Sequence, residues 1–192
     1  EVEEVIHANI KCHTALAKTY DKTQPTYKAE NINRVREIIS ELAKKTNGGK
    51  LLDLGCGTGF ILNIAKDYFN QCIGVDITPA MLDQVANYPN CEVIVARTED
   101  LSQFDDNSFS VVTAYGFLHH LHPESLKKTL LEAYRVLEKG GVFYSDQDPN
   151  KDFLIHSIKE TGNNKSKFPK VIKNEISKVI TEFDRASNVY GI

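Results

Sequence analysis

Three glycines at alternate positions, Gly55, Gly57 and Gly59, follow a short apolar run that contains an acid, Asp53. The run has the character of a buried parallel strand, and the residues from Phe60 onward have helical periodicity. The glycines are therefore expected in a strand-to-helix turn. Glycine there permits unusual backbone angles and lets a ligand press against bare main chain, while the helix start offers free N–H groups. The pattern predicts a loop that binds a nucleotide cofactor.

The spacing of the glycines separates two kinds of cofactor. A dinucleotide loop has the pattern G-x-G-x-x-G and places a pyrophosphate on the helix N-terminus. This chain has D-x-G-x-G-x-G instead, and Asp53 would repel a pyrophosphate but suits a cationic amine. A second acid, Asp76, closes the next apolar strand, where a carboxylate can accept both hydroxyls of a ribose. The two acids together indicate a nucleoside that carries an amine.

Five separated segments resemble those of the class I S-adenosylmethionine-dependent methyltransferases, in particular the type 11-like group that acts on small molecules. The resemblance extends from about Tyr20 to Asp148, and it is specific because all five segments occur in order. It implies S-adenosylmethionine as the cofactor. The segments are residues 51–60, 74–82, 96–101, 106–120 and 135–141.

The resemblance also implies which residues hold the cofactor. Asp53 is expected at the methionine ammonium, directly or through water, and Asp76 at the ribose. Tyr115 would offer its carbonyl to the same ammonium, and Tyr20 would close over the cofactor carboxylate. The remaining cofactor-binding residues that it implies are Gly55, Cys56, Gly57, Gly59, Ile77, Met81, Thr98 and Glu99.

The adenine contact is expected to differ from that of many relatives. Many relatives carry an acid that reaches the adenine amine, and this chain has Arg97 at that position. The contact is therefore expected to shift to the backbone of Thr98 and the carboxylate of Glu99. Ile77 and Met81 match the family positions that wall the ribose and the adenine.

Three histidines, His119, His120 and His122, follow the fourth predicted strand. A neutral imidazole there could take a proton from an attacking hydroxyl or ammonium. His120 corresponds to a histidine that some phosphobase methyltransferases use together with a tyrosine, so it is expected either to act as the general base or to shape the loop. The histidines lack the helix-face spacing of metal ligands, so no metal is predicted.

The elements that position these residues alternate along the chain. From Leu51 onward strands and helices succeed one another, which predicts a parallel sheet with helices on both faces. The expected fold class is α/β: a doubly wound, mostly parallel sheet with a Rossmann-like methyltransferase core, N-terminal helices and a C-terminal helical segment. Ligands on such sheets bind beyond the carboxyl ends of the strands. After the first strand and helix, the predicted elements are a strand to Asp76, a helix over 79–86, strands over 92–96 and 110–114, a helix over 124–137 and a strand over 142–145.

The chain divides into three predicted parts. Residues 1–48 form N-terminal helices that cap the core, residues 49–150 form the S-adenosylmethionine-binding α/β core, and residues 151–192 form a helical lid or insertion. An apolar stripe over 171–183 is expected to fold against the carboxyl rim and cover the acceptor pocket. The last two strands of the family core are not evident, so either the chain is truncated inside a helical insertion or it is a shortened variant.

Composition restricts the class of protein. A chain with 41% hydrophobic and 26% charged residues is an ordinary globular protein. The formal net charge of −3 and the absence of a basic run argue against a nucleic-acid partner, and the absence of an apolar span near 18 residues argues against a membrane. A cytoplasmic enzyme is expected.

The predicted activity is methyl transfer from S-adenosylmethionine to a small-molecule acceptor by in-line displacement. Residues 114–117, Ala-Tyr-Gly-Phe, lack the Asn/Asp-Pro-Pro-Tyr/Phe element, which disfavours nucleobase amines as acceptors. One alternative is a non-catalytic S-adenosylmethionine-binding module that acts through a partner. The other is a nicotinamide-dependent oxidoreductase, whose G-x-G-x-x-G this chain lacks. The acceptor atom, whether oxygen, nitrogen or carbon, and the oligomeric state stay open at this point.

Overall fold

Five parallel strands form one sheet in the computed structural model, which describes residues 1–148. The predicted lid over 151–192, with its apolar stripe, lies outside the described residues. The strand order is β3-β2-β1-β4-β5, so the chain winds outward in one direction from β1 and then returns to β4. This arrangement confirms the predicted doubly wound α/β fold. The strands are β1 (Lys50–Leu54), β2 (Gln71–Asp76), β3 (Cys91–Val95), β4 (Phe109–Tyr115) and β5 (Leu137–Asp146).

Six α-helices and three short 3-10 helices accompany the sheet in the described part of the chain. The 3-10 helices are Ala17–Thr19, Pro25–Tyr27 and Leu118–His120. None of the helices within residues 1–148 is long and apolar enough to cross a membrane. The α-helices are α1 (Val2–Leu16), α2 (Tyr20–Thr23), α3 (Ala29–Lys45), α4 (Phe60–Ala65), α5 (Pro79–Leu82) and α6 (Pro123–Val136).

Both faces of the sheet are covered, which explains why its strands are almost continuously apolar. Along β1, Leu51 belongs to the core cluster on one face and Leu52 to the cluster on the other. Helices α3 and α4 cover the first face, where Ile39 is fully buried. Helix α6 covers the second face with Ala133 and Val136.

Two elements differ from their predicted bounds by more than one residue. Helix α5 ends at Leu82 instead of residue 86. The N–H groups of Gln84 and Val85 bond to the carbonyl oxygens three residues back, Met81 O and Leu82 O, rather than four, and both distances are 3.0 Å. Strand β5 starts directly after α6, five residues before its predicted start. An irregularity in its pairing with β4 accommodates the extra residues, and Gly140 at φ +85° lies within it.

The strand order places a crevice above β1 and β4. These two strands pair in register, from Leu51 opposite Val111 to Leu54 opposite Ala114. The chain leaves β1 in one direction and β4 in the other, so the connections above their carboxyl ends diverge. The glycine loop follows β1 at this point.

Candidate cofactor site

The glycine loop turns sharply between β1 and α4. All three glycines have positive φ angles: +65° at Gly55, +54° at Gly57 and +84° at Gly59. Other residues rarely adopt such angles, so the conformation accounts for the residue type. A Cβ atom on Gly55 would lie 2.1 Å from the ring of Phe117, whereas one on Gly57 would meet only Met81, at 3.4 Å. Gly55 therefore makes room for a neighbouring ring, and Gly57 borders open space.

The carboxylate of Asp76 fastens this loop to the end of β2. Its Oδ2 accepts a hydrogen bond from the Gly57 N–H at 3.0 Å, and its Oδ1 accepts one from the Thr78 N–H at 2.8 Å. A carboxylate oxygen has two lone pairs, so each oxygen can still accept a second hydrogen bond. The side chain is partly exposed to the cavity described below. Asp76 can therefore accept two adjacent hydroxyl groups without releasing the loop.

Asp53 is a buried residue of β1, just before the glycine loop. Its side chain is buried beneath the loop at 2% exposure, where Thr113 Oγ1 donates a hydrogen bond to Oδ1 at 2.7 Å. Burial, together with the nearby charge of Asp76, raises the pKa of Asp53 to about 7, although the Thr113 hydrogen bond opposes the shift. Asp53 does not line the cavity.

One cavity of about 560 Å³ opens at the carboxyl ends of the strands. It collects the predicted site residues except Asp53 and Gly59, although they come from five separate regions of the chain. Its volume is within the range of ligand-binding pockets. Among the predicted residues it is lined by Tyr20, Gly55, Cys56, Gly57, Asp76, Ile77, Met81, Thr98, Glu99, Tyr115 and His120.

The end of the cavity beyond β3 presents Thr98 and Glu99. Glu99 accepts a hydrogen bond from Ser125 Oγ at 3.0 Å, and the hydroxyl of Thr98 lies 2.9 Å from that of Thr129. Arg97 does not line the cavity. Its guanidinium pairs on the surface with both carboxylate oxygens of Glu3 at 2.7 Å. The arginine thus holds the start of α1 instead of contacting a ligand.

The N-terminal helices cover the cavity. Besides the Glu3 pair, Asn9 on α1 donates from Nδ2 to the main-chain oxygen of His120 at 2.9 Å. Asn9 and His13 both line the cavity, and sequence reasoning did not assign them to the site. The available signal was their position as polar residues in the otherwise apolar stripe of α1.

A second contact joins the N-terminal segment to the glycine loop. Thr58, which is 8% exposed, donates its hydroxyl to Asp21 Oδ1 at 2.6 Å. The hydroxyl of Tyr27 lies 2.6 Å from the same Thr58 oxygen, and because Thr58 has one proton to give, Tyr27 is the donor. This Tyr27–Thr58–Asp21 chain, the Thr58 bridge, was also missed. Its only sequence signal is a hydroxyl residue inside the glycine loop.

The histidines form a contact group beside β4. The rings of His119 and His120 have centroids 4.0 Å apart, and His13 meets His120 edge-on at 5.1 Å. Burial, followed by the neighbouring histidines, lowers the pKa of His120 to about 3. The imidazole is therefore neutral at pH 7 and a weak base. No group of three potential ligands suited to a metal occurs among residues 1–148.

Comparison with known proteins agrees with this architecture. A family model described as "Methyltransferase domain" matches residues 52–145. An uncharacterized protein of Methanocaldococcus jannaschii is 36% identical over 88% of this chain and 67% of its own length. A probable S-adenosylmethionine-dependent methyltransferase of Mycolicibacterium smegmatis is 30% identical over 68% of this chain and 51% of its own length.

A solved structure has a similar fold. The PH0226 protein of Pyrococcus horikoshii is 28% identical with a TM-score of 0.55, over 76% of this chain and 68% of that one. The chain spans about half to two thirds of the length of the curated relatives it matches. These matches confirm the predicted family and its cofactor, S-adenosylmethionine. The chain belongs to the class I S-adenosylmethionine-dependent methyltransferases.

Proposed function

We propose that this protein binds S-adenosylmethionine in the cavity above β1, β2 and β4 and transfers its methyl group to a small-molecule acceptor in the same cavity. One observation carries the proposal. One cavity is lined on the cofactor side by the main chain of Gly55 and Gly57 and by the carboxylate of Asp76. The same cavity is lined by the aromatic and imidazole side chains beyond β4. A nucleoside and a second small molecule would therefore share one enclosed space.

The residues of the cavity fit the cofactor. Asp76 would bind the ribose with the lone pairs that Gly57 and Thr78 leave unused. At the adenine end, Met81 supplies an apolar wall that is 2% exposed, and Glu99 supplies an acceptor for an amine. The absence of a Cβ on Gly57 leaves the space that a ligand close to the main chain requires.

The amino-acid end of the cofactor would lie between the glycine loop and the N-terminal segment. Tyr20 and the main chain of Tyr115 line this part of the cavity. Burial and then the charge of Asp76 raise the pKa of Tyr20 above its ordinary value, so its hydroxyl stays protonated as a donor. Two acids, Asp53 and Asp76, lie close enough to interact electrostatically, and together they favour a cationic ammonium near the loop.

The protein's own contribution to the reaction is alignment. S-adenosylmethionine, when bound, supplies a methyl group on a positively charged sulfur and so provides the electrophile. The walls of the cavity hold the acceptor in line with that group, and α1 excludes water from above. His120 would shape the acceptor end, since its ring is neutral and held by His13 and His119.

A small acceptor is favoured over a nucleic acid. Some relatives have other acceptors in their names, such as a probable tRNA methyltransferase 9B of Bos taurus. In this chain, α1 lies across the cavity and is held on both sides, by Glu3 to Arg97 and by Asn9 to His120. A base within a folded RNA would have to enter beneath this helix. The formal net charge of −3 also gives no general attraction for a polyanion.

Calorimetry and a transfer assay test the proposal. The full chain is titrated with S-adenosylmethionine, S-adenosylhomocysteine and NADH, and we expect binding of the first two at about micromolar Kd, or about −8 kcal/mol, and no binding of NADH. Methyl transfer from labelled S-adenosylmethionine is then measured with a panel of small molecules and with bulk tRNA. A preference for NADH would overturn the cofactor assignment. Transfer to tRNA alone would overturn the small-molecule acceptor, and cofactor binding without any transfer would favour the non-catalytic module.

A further inference from the structure

We infer that the acceptor of the proposed methyl transfer is an uncharged molecule with an apolar body, bound against a wall of aromatic rings beside the carboxyl end of β4. This inference rests on the proposed function, and it specifies the chemical class of the acceptor. The ring wall consists of Tyr20, Tyr27, Phe60, Tyr115, Phe117 and His120, all of which line the cavity.

The rings of the wall support one another. Tyr27 meets Phe60 edge-on with centroids 5.2 Å apart, and Phe60 lies 5.1 Å from Tyr115. A second group of rings surrounds His13, which lies 6.1 Å from Tyr20 and 5.1 Å from His120 between ring centroids. Aromatic rings at these separations attract one another beyond simple burial. The wall is therefore a preformed apolar surface, and it is not created by the ligand.

Two tyrosine hydroxyls of the wall already have protein partners. The hydroxyl of Tyr27 donates to Thr58 at 2.6 Å. The hydroxyl of Tyr115 receives a hydrogen bond from Asn31 Nδ2 at 2.9 Å. What these two tyrosines offer to an acceptor is therefore the ring. An acceptor with an apolar, ring-sized body matches this surface better than a strongly hydrated one.

The charges around the cavity decide against an anionic acceptor. Among the lining residues within 1–148, the carboxylates are Asp76 and Glu99, and none is a lysine or an arginine. Two arginines of this region are paired with acids. Arg34 Nη2 lies 2.7 Å from Asp146 and 3.5 Å from the hydroxyl of Tyr115, and Arg97 is bound to Glu3. A phosphate or carboxylate in this space would lose its hydration without gaining a lysine or arginine of the cavity lining as a partner, which is unfavourable.

A cationic acceptor is disfavoured for a different reason. A protonated amine has no lone pair with which to attack a methyl group, so an amine acceptor must be neutral when it attacks. The positive sulfur of the cofactor would also repel a second cation at contact distance. An alcohol, a phenol, a neutral amine or an acidic carbon on an apolar body meets all of these conditions.

Two dyes with the same rings test the inference. N-phenyl-1-naphthylamine is uncharged, and 8-anilino-1-naphthalenesulfonate is the same skeleton with one sulfonate. Both are titrated by fluorescence into the full chain saturated with S-adenosylhomocysteine, whose binding is measured by calorimetry on the same sample. We expect the neutral dye to bind at least tenfold more tightly than the sulfonate. Equal binding, or tighter binding of the sulfonate, overturns the inference.

Matched variants locate the dyes. Gln24 lines the cavity, whereas Gln103 is exposed and does not. Gln24→Lys introduces a cation into the cavity and should reduce the preference for the neutral dye at least fivefold, while Gln103→Lys should leave it unchanged. Equal effects of the two variants would show that the dyes bind elsewhere and would overturn the inference. Failure of S-adenosylhomocysteine to bind overturns the proposed function itself, whereas its binding without dye discrimination overturns the acceptor class alone.

Discussion

Asp76 and Gly57 join β2 to the glycine loop through a hydrogen bond of 3.0 Å from the Gly57 N–H to Asp76 Oδ2. The residues are 19 positions apart in the chain. The acid that would bind the ribose therefore also fixes the main chain against which the rest of the cofactor would rest. Loss of this carboxylate affects two contacts of the cofactor at once.

Replacement of Asp76 should weaken cofactor binding. Asp76→Ala would remove the two charge-assisted hydrogen bonds that we propose for the ribose, so we expect the affinity for S-adenosylmethionine and S-adenosylhomocysteine to fall by about 1–3 kcal/mol. Calorimetry measures the change. Asp83→Ala, at an exposed acid just after α5, serves as the control and should bind like the parent. An unchanged affinity of the Asp76 variant would mean that the ribose lies elsewhere.

The Thr58 bridge should hold the N-terminal segment closed. Thr58→Val keeps the shape of the side chain but removes the hydroxyl that connects Tyr27 and Asp21. We expect a loss of about 1 kcal/mol in the free energy of unfolding, because the partly buried hydroxyl of Tyr27 and the exposed carboxylate of Asp21 lose their hydrogen bonds to Thr58. Amide exchange in residues 17–28 should become faster than in the parent.

A hydroxyl-retaining variant separates this effect from a general change in packing. Thr58→Ser keeps the bridge and should leave the exchange of residues 17–28 close to that of the parent. If Thr58→Val and Thr58→Ser behave alike, the methyl group and not the bridge holds the segment.

The close approach of Phe117 should make Gly55 intolerant of a side chain. Gly140→Ala places a Cβ in open space, so it should destabilise only through its positive φ, by about 1–2 kcal/mol. Gly55→Ala has a similar φ and in addition overlaps the Phe117 ring, so a further loss of about 1–3 kcal/mol is expected. Denaturant unfolding gives both values. Equal losses for the two variants would falsify the packing argument. Phe117→Leu combined with Gly55→Ala should recover part of the additional loss that Gly55→Ala causes.

Asp53 should give stability a distinctive pH dependence. Its pKa is about 7 in the folded protein and near 3.8 when it is unperturbed. Between these values the folded state binds more protons than the unfolded state, so the contribution of Asp53 to the free energy of unfolding falls as the pH rises. The Asp53→Asn variant should lack this decline. Its free energy of unfolding should therefore rise relative to that of the parent between pH 4 and pH 7.

The difference between variant and parent is the diagnostic quantity. The pKa of His120 is lowered to about 3 from its ordinary value of 6.5, so between these pH values its contribution to the free energy of unfolding rises with pH. In the parent protein this rise partly masks the decline that Asp53 causes. Denaturant unfolding at several pH values measures the difference. Asp105→Asn, at an exposed acid, is the control and should show no comparable trend. A flat difference for Asp53→Asn would show that its carboxyl is ionised in the folded protein.

The local pattern of the sequence determined the glycine loop, the strand ends and the position of the acid that we propose for the ribose. Alternate glycines after an apolar strand specify positive φ angles, and Gly55, Gly57 and Gly59 all have them. The carboxyl ends of parallel strands meet at one rim, so the position of Asp76 at the end of β2 was enough to place it in the site. Helix ends were less certain, and α5 is four residues shorter than its predicted span to residue 86 because its last hydrogen bonds tighten.

Only the tertiary structure decided which residues meet above the carboxyl edge of the sheet and which side chains are buried beneath the glycine loop. Arg97 and Glu3 are 94 positions apart, and Asn9 reaches His120 over 111 positions, so no local pattern connects them. Their meeting depends on how α1 packs across the finished sheet. Asp53 likewise has the residue type of a ligand contact, but the loop folds over its side chain and buries it. Sequence periodicity assigns a residue to an element and a face, whereas burial and distant partners arise only when all the elements are packed together.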